Sequence, residues 1–205
     1  MTESMGPSEK ILAAARVVIE EKGVDSFSLR AVAAKAGVSL GTVTYYYPNR
    51  SALVEACLES LHTLHREAIE LVSRGLSEGR SFAEMASALV DSLFPRLLDE
   101  REWIRVRMLG ILKDDGLPER QRNRVLAPAV ELGAAQLEAT TKLNTAEARM
   151  MVNALIFVVS RFAILSPVEL LLLTQEEDLD AAETKTRAFL VSLVERLLRD
   201  EAPAA

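Results

Sequence analysis

Apolar residues recur at three- and four-residue spacing along this chain, and no strand-like alternation follows residue 50. The first stripe, Ile11, Leu12, Ala15, Val18 and Ile19, predicts a helix from about Ser8 to Lys22 that Gly23 stops. Residues 1–7, with Gly6 and Pro7, read as a loose arm. Ser28 is placed to cap a second helix whose apolar side is Leu29, Val32, Ala33 and Ala36. Gly37 can take the left-handed conformation that reverses the chain, and Val38 fills the angle. Ser39 can cap a third helix to about Tyr47, with Val43 inward and Thr42, Tyr45 and Tyr46 outward.

Helical periods separated by punctuation occupy the rest. A long fourth helix is expected from Arg50 to about Ser77, before Glu78-Gly79. Ser81 and Glu84 form a capping box that starts a fifth, which Pro95 bends or ends. A sixth is expected over about Arg101–Lys113, then a loop at Asp114-Asp115-Gly116. Pro118 suits the first turn of a seventh, bent by Pro128. Thr145 opens an eighth that reaches about Leu165, where Ser166-Pro167 breaks it, and a last spans roughly Asp180–Arg199. The expectation is an all-α chain of about nine helices. Its N-terminal helical head covers residues 1–52, and a larger helical body covers 53–205.

Composition narrows the class. The 49% of apolar residues supply ample core for 205 residues. No charged segment precedes an apolar stretch at the N-terminus, so a secretory signal is not expected. Residues 152–174 are apolar but interrupted by Asn153, Arg161, Pro167 and Glu169, which argues against a membrane span. The single Cys57 excludes an intrachain disulfide and suits a reducing cytoplasm. Charge is uneven: residues 1–57 hold six basic and six acidic side chains, so residues 58–205 carry the whole net charge of −6. Between Asp25 and Glu55 the only charged residues are Arg30, Lys35 and Arg50. An acidic body is repelled by phosphates, which would confine nucleic-acid binding to the head.

Two short helices around a glycine turn form a helix-turn-helix, whose second helix enters the DNA major groove. The whole run ILAAARVVIEEKGVDSFSLRAVAAKAGVSLGTVTYYYPNRSALVEA resembles the DNA-binding domain of the tetracycline-repressor (TetR-type) family of bacterial regulators. It has the first helix ending in Gly23, the capped second helix, AGVS at the turn, and aromatics before a Pro-Asn-Arg step. Thr44 stands where the family often has a tyrosine. The resemblance and helix geometry together place Arg50, at the start of the fourth helix after Pro48 and the cap Asn49, on a phosphate. Tyr46 is expected to set its hydroxyl on another, with Lys35 adding general attraction. Base reading falls to Arg30, Leu40, Thr42 and Tyr45, with Ser39 capping the helix and Gly41 allowing close approach. Tyr47 looks like the family's buried aromatic. Successive helical residues point about 100° apart, so at least one of the three tyrosines must face outward.

The resemblance implies a homodimer through the last two long helices, a small-molecule effector in the body, and a palindromic double-stranded DNA operator. The wide stripes Met151, Leu155, Val158, Val159, Phe162 and Phe189, Leu190, Leu193, Val194, Leu197 can be internal core or subunit interface. The resemblance favours the interface. Candidate effector contacts are Phe82, Met85, Phe94, Trp103, Met108, Met150 and Phe157, with Arg107, Asn153 and Arg161 as polar members. Arg107 and Arg161 lie in apolar stretches and need a partner: Glu102, Glu169 or an anionic ligand. His62 and His65 could share a metal but lack a third ligand, so no metal site is assigned. No phosphate-binding glycine loop, nucleophile motif or triad is present, so neither enzyme activity, a cofactor nor a membrane partner is expected. The expected function is a ligand-responsive regulator, most simply a cytoplasmic repressor. The competing reading is a helical activator or architectural protein without an effector site.

Overall fold

The computed structural model describes residues 5–113, 119 and 122–199. Among these the chain is all helical: α1 Pro7–Lys22, α2 Leu29–Ala36, α3 Leu40–Tyr46, α4 Arg50–Cys57, α5 Glu59–Ser77, α6 Phe82–Asp99 and α7 Arg101–Lys113. A π-helical turn at Arg122–Leu126 leads into α8 Ala127–Thr140, followed by α9 Thr145–Ala163, α10 Pro167–Thr174 and α11 Leu179–Arg199. The helices form two compact units, the first ending at Leu61 and the second beginning at His62. The boundary expected after residue 52 falls inside α4, whose Leu53 and Cys57 are buried.

In the first unit, α1 packs on α2, α3 and α4. Its Ile11, Ala15, Val18 and Ile19 meet a core that includes Phe27, Val32, Val43 and Leu53. Three side-chain caps satisfy the first free N–H groups of the following helices. Ser28 accepts from Ala31 N–H at 3.2 Å, Ser39 from Thr42 N–H at 3.0 Å and Asn49 from Ala52 N–H at 2.8 Å. Gly37 sits at φ +68°, and Val38 N–H closes on the Ala33 carbonyl at 3.0 Å. A side chain at Gly37 would strain that turn.

Cys57 belongs to this core, 2% exposed, with its carbonyl accepting from Arg16 at 3.3 Å. Burial pushes its thiol up to about 12; Arg16 partly opposes this and Glu20 adds to it. Thiolate is the reactive form. At pH 8 the folded protein is therefore expected to resist a thiol-alkylating reagent and to label fully in denaturant. Labelling of the folded chain at a free-thiol rate would contradict this packing.

In the second unit α6 packs chiefly on α11, α8 on α9, and α10 on α11. Phe82, Met85, Phe94, Trp103, Leu137, Leu190 and Val194 are among its buried residues. The α6–α11 and α7–α11 contacts are tied by Arg187 to Asp91 at 3.6 Å and Arg101 to Glu183 at 3.0 Å. Gly133 lets α8 approach α9 closely, since a Cβ there would lie 2.8 Å from Val152 Cγ2.

Several boundaries differ from the sequence expectation. The long fourth helix is two helices, interrupted at Leu58, after which Leu61 N–H bonds the Leu58 carbonyl in a tighter turn. Pro95 does not end α6, which runs on to Asp99. Pro95 and Asp91, whose carbonyl loses its helical partner, are both exposed, so water can take up that bond. Asp114, Asp115, Gly116 and Pro118 lie outside the described residues, and Pro128 falls in the first turn of α8, directly after the π-helical turn. Gly6 and Pro7, expected in a loose arm, already start α1, with Gly6 N–H donating to Glu9 at 2.8 Å. Helix α10 is additional. Ser166 caps it, and its partner Glu169 is held down to about 2 by the Ser166 N–H, the Ser166 hydroxyl and Arg161.

Candidate nucleic-acid interface

The caps at Ser28 and Ser39 and the reversal at Gly37 set α3 as a short helix with one buried side and one open side. Val43 is fully buried, and Tyr47, the residue after α3, is 9% exposed with its hydroxyl 2.9 Å from Ser8 Oγ. Tyr45 is 82% exposed and Tyr46 41%, their rings edge-to-face with centroids 5.1 Å apart. Leu40 and Gly41 are also exposed. The open side of α3 therefore offers Leu40, Gly41, Tyr45 and Tyr46, with an apolar side chain, bare backbone and two phenols. Such a set suits thymine methyls, close backbone approach and, through the two phenols, base edges and phosphate oxygens.

Thr42 is half-buried, and its hydroxyl lies 2.8 Å from Ser39 Oγ while its N–H is capped. Its methyl and the remaining bonding capacity of its hydroxyl are what it can offer a base. Arg30 is exposed on α2, and Lys35 is exposed but paired with Glu21 at 3.0 Å. That surface pair is weak and screened, so a phosphate can compete for the lysine. Arg50 is exposed, yet its Nη2 donates to the carbonyls of Val24 at 2.8 Å and Asp25 at 2.9 Å. Its guanidinium also lies 4.6 Å from the ring centroid of Phe27. Sequence reasoning missed Phe27 and the loop it anchors. The available signal was an apolar residue directly before the Ser28 cap, five positions from Val32, the spacing of a hydrophobic staple; both are buried.

The ten candidate effector residues differ widely in exposure. Phe82, Met85, Phe94 and Trp103 are buried in the second unit's core, and Arg107, Met108 and Asn153 are half-buried. Met150 and Phe157 are exposed at 64% and 46%, and Arg161 is exposed and paired with Glu169 at 2.9 Å. Positions 150, 157 and 161 share one face of α9, opposite its buried Ala148, Val152 and Ala163. Arg161 faces out from α9, and its partner is Glu169, one of the two carboxylates that the sequence offered. The other apolar side of α9, with Met151, Leu155, Val158, Val159 and Phe162, is half-buried.

On α11, Phe189 and Leu197 are exposed, Leu193 is half-buried, and Phe189 packs beside Phe162 at 5.7 Å between ring centroids. Leu190 and Val194, expected at a subunit contact, are only 0% and 2% exposed in the single protomer. Helix α6 already covers much of α11. The exposed large apolar side chains of this region include Met150, Phe157, Phe189 and Leu197, with Val168, Leu172 and Leu173 on α10. No single helix among the described residues is long and apolar enough to cross a membrane; α9 and α10 meet that test only as a pair bent by 106°.

Comparison with known proteins agrees with this architecture. Residues 11–57 match the model of the family described as bacterial regulatory proteins, tetR family. A curated relative from Bacillus subtilis, the uncharacterized HTH-type transcriptional regulator YvdT, is 34% identical over 99 residues, so the match spans about half of each chain. A TetR-like transcriptional regulator from a Rhodococcus species superimposes with TM-score 0.64 at 23% identity, covering 94% of this chain and 96% of that one. The transcriptional regulator FadR from Bacillus subtilis, solved in complex with stearoyl-CoA, does so with TM-score 0.60 at 21% identity, covering 89% and 97%. These two share the fold. Residues 11–57 therefore match the domain of bacterial regulatory proteins, tetR family, and the chain as a whole shares the fold of the TetR-like structures.

Proposed function

We propose that the protein is a homodimeric transcriptional regulator that binds a palindromic DNA operator with α3 and releases it when a small molecule occupies the second unit. The observation that carries this reading is α3 itself: capped by Ser39, anchored by a fully buried Val43, and offering Tyr45 at 82% exposure. A small domain that needed Tyr45 for its own stability would not leave it in water. On an electrically balanced head attached to an acidic body, this face is the natural one for DNA.

Each head presents one short helix, so sequence specificity requires two heads related by a twofold axis. The exposed apolar residues of α9 and α11 supply the pairing surface. Repression is the simplest output, since a dimer on an operator blocks transcription sterically, and the site of action is the bacterial cytoplasm. The effector would act by favouring a form of the dimer whose heads no longer match the operator spacing. The FadR relative holds stearoyl-CoA; buried Phe82, Met85, Phe94 and Trp103 are compatible with an effector that carries an apolar portion.

The contact assignments are tested by substitution on α3. Tyr45→Ala and Thr42→Ala are expected to change which base pairs a bound-DNA selection recovers, each altering discrimination by about 1–3 kcal/mol at its position. Lys35→Ala is expected to weaken all sequences alike. Recovery of the same operator by both α3 variants would defeat this assignment of the recognition face.

A further inference from the structure

The start of α4 is tied to the loop between α1 and α2 by a single side chain. Arg50, the first residue of α4, reaches back across the sequence to donate from Nη2 to the Val24 and Asp25 carbonyls, at 2.8 and 2.9 Å. Its guanidinium lies 4.6 Å from the ring centroid of Phe27, which is 2% exposed. The loop itself closes through Ser26 and Phe27 N–H groups on the Gly23 carbonyl, at 3.2 and 3.3 Å. Directly after it, Ser28 caps α2.

These contacts use the geometry that distinguishes arginine from lysine. A planar fork reaches two adjacent carbonyls while its face rests on an aromatic ring, and a point-charge ammonium cannot reproduce the combination. Both hydrogens of Nη2 are engaged on backbone oxygens of the loop. Turning Nη2 itself toward a phosphate would release both carbonyls, so the observed pose commits that nitrogen to the loop.

We infer that Arg50 is a positioning residue that locks the α1–α2 loop, and through it the capped α2 and the recognition helix α3, instead of serving chiefly as a phosphate contact. The inference rests on the DNA-binding reading proposed above, and it adds Phe27 as a buried partner that no DNA could touch. The lock acts on α3 by fixing where α2 begins. Released, the loop would let α2 and α3 shift together relative to α1 and α4.

The experiment compares full-length wild type with Arg50→Lys, Arg50→Ala and Phe27→Leu. Each is titrated with the duplex that wild type selects from a random library, at several salt concentrations. Positioning predicts that all three variants lose affinity, by about tenfold, the loss of one charge-assisted contact pair. It also predicts that their salt slopes stay at the wild-type value, because no phosphate contact is removed. A phosphate role predicts the reverse: Lys retains wild-type affinity, Ala flattens the slope by about one unit, and Phe27→Leu binds normally. That pattern would overturn the inference.

A second measurement does not depend on DNA. Hydrogen exchange in the free protein should quicken at the Ser26 and Phe27 amides in Arg50→Lys and Arg50→Ala, with the α1 core amides unchanged. Wild-type exchange at those two amides would overturn the lock even if DNA affinity fell. Wild type that selects no DNA would instead defeat the DNA-binding reading, and the exchange data would still decide whether the lock exists.

Discussion

A chain carrying Phe157→Glu and Phe189→Glu is expected to be a folded monomer that has lost its operator. Both side chains are about half exposed in the protomer, Phe157 at 46% and Phe189 at 51%, so glutamate there leaves the core intact. In a dimer closed through α9 and α11 the same residues become buried, and an unpaired carboxylate under that seam opposes association strongly. A twofold contact repeats each substitution on both subunits, so two changes per chain place four charges at the interface.

The DNA consequence follows from symmetry. One head contacts one half-site, and a monomer forfeits the second half of the binding free energy. Affinity should therefore fall from the specific range, roughly 10⁻⁸–10⁻¹¹ M, toward the non-specific range of about 10⁻⁴–10⁻⁶ M. Sedimentation reports the mass and far-UV circular dichroism the retained helicity. Persistence of the dimer in the double variant would move the interface away from these two helices. A monomer that binds its operator as tightly as wild type would remove the need for a dimer.

Trp103→Ala is expected to cost about 3–5 kcal/mol of stability, the range for removing a fully buried large aromatic. Trp103 is 1% exposed on α7, next in space to an α6 whose Phe94 is equally buried. Such a loss is a large part of the about 5–15 kcal/mol that holds a typical domain folded. Since Trp103 is the only tryptophan, the variant is followed by circular dichroism in urea instead of by fluorescence. A cost below about 1 kcal/mol would mean that the core around α6 and α7 is not packed as described.

Much of the head was legible in the sequence because its signals are local. Ser28, Ser39 and Asn49 are cap residues at the right offsets, Gly37 is the residue that a left-handed turn demands, and Val43 is the lone apolar residue facing inward from α3. Each is read within four or five positions. The three consecutive tyrosines were separable for the same reason, as helical geometry prevents one face from burying all of them. The all-helical class followed from periodicity sustained over most of the chain.

What was not legible depends on partners distant in sequence. The break at Leu58 has no glycine, proline or cap to mark it, and a tighter turn there replaces one helical bond. Helix α10 did carry a local signal, Ser166-Pro167 followed by Glu169, which reads as a stop when only the proline is weighed and as a start when the capping box is. On α9 the apolar residues run almost around the helix, so periodicity could not tell the side facing Ala148 and Val152's neighbours from the side of Met150 and Phe157. Leu190 and Val194 were ambiguous in the same way until α6 was seen to pack against α11. The reach of Arg50 back to Val24 and Asp25 crosses the whole helix-turn-helix, and no short window contains both ends.

The most direct test of the central claim is selection of bound DNA from a random library by the full-length protein, repeated at several salt concentrations. The account predicts recovery of one inverted repeat, with half-site centres about one helical turn or a multiple apart, and affinity that falls steeply as salt rises. Recovery of no preferred sequence, at salt low enough for phosphate contacts to hold, would contradict it.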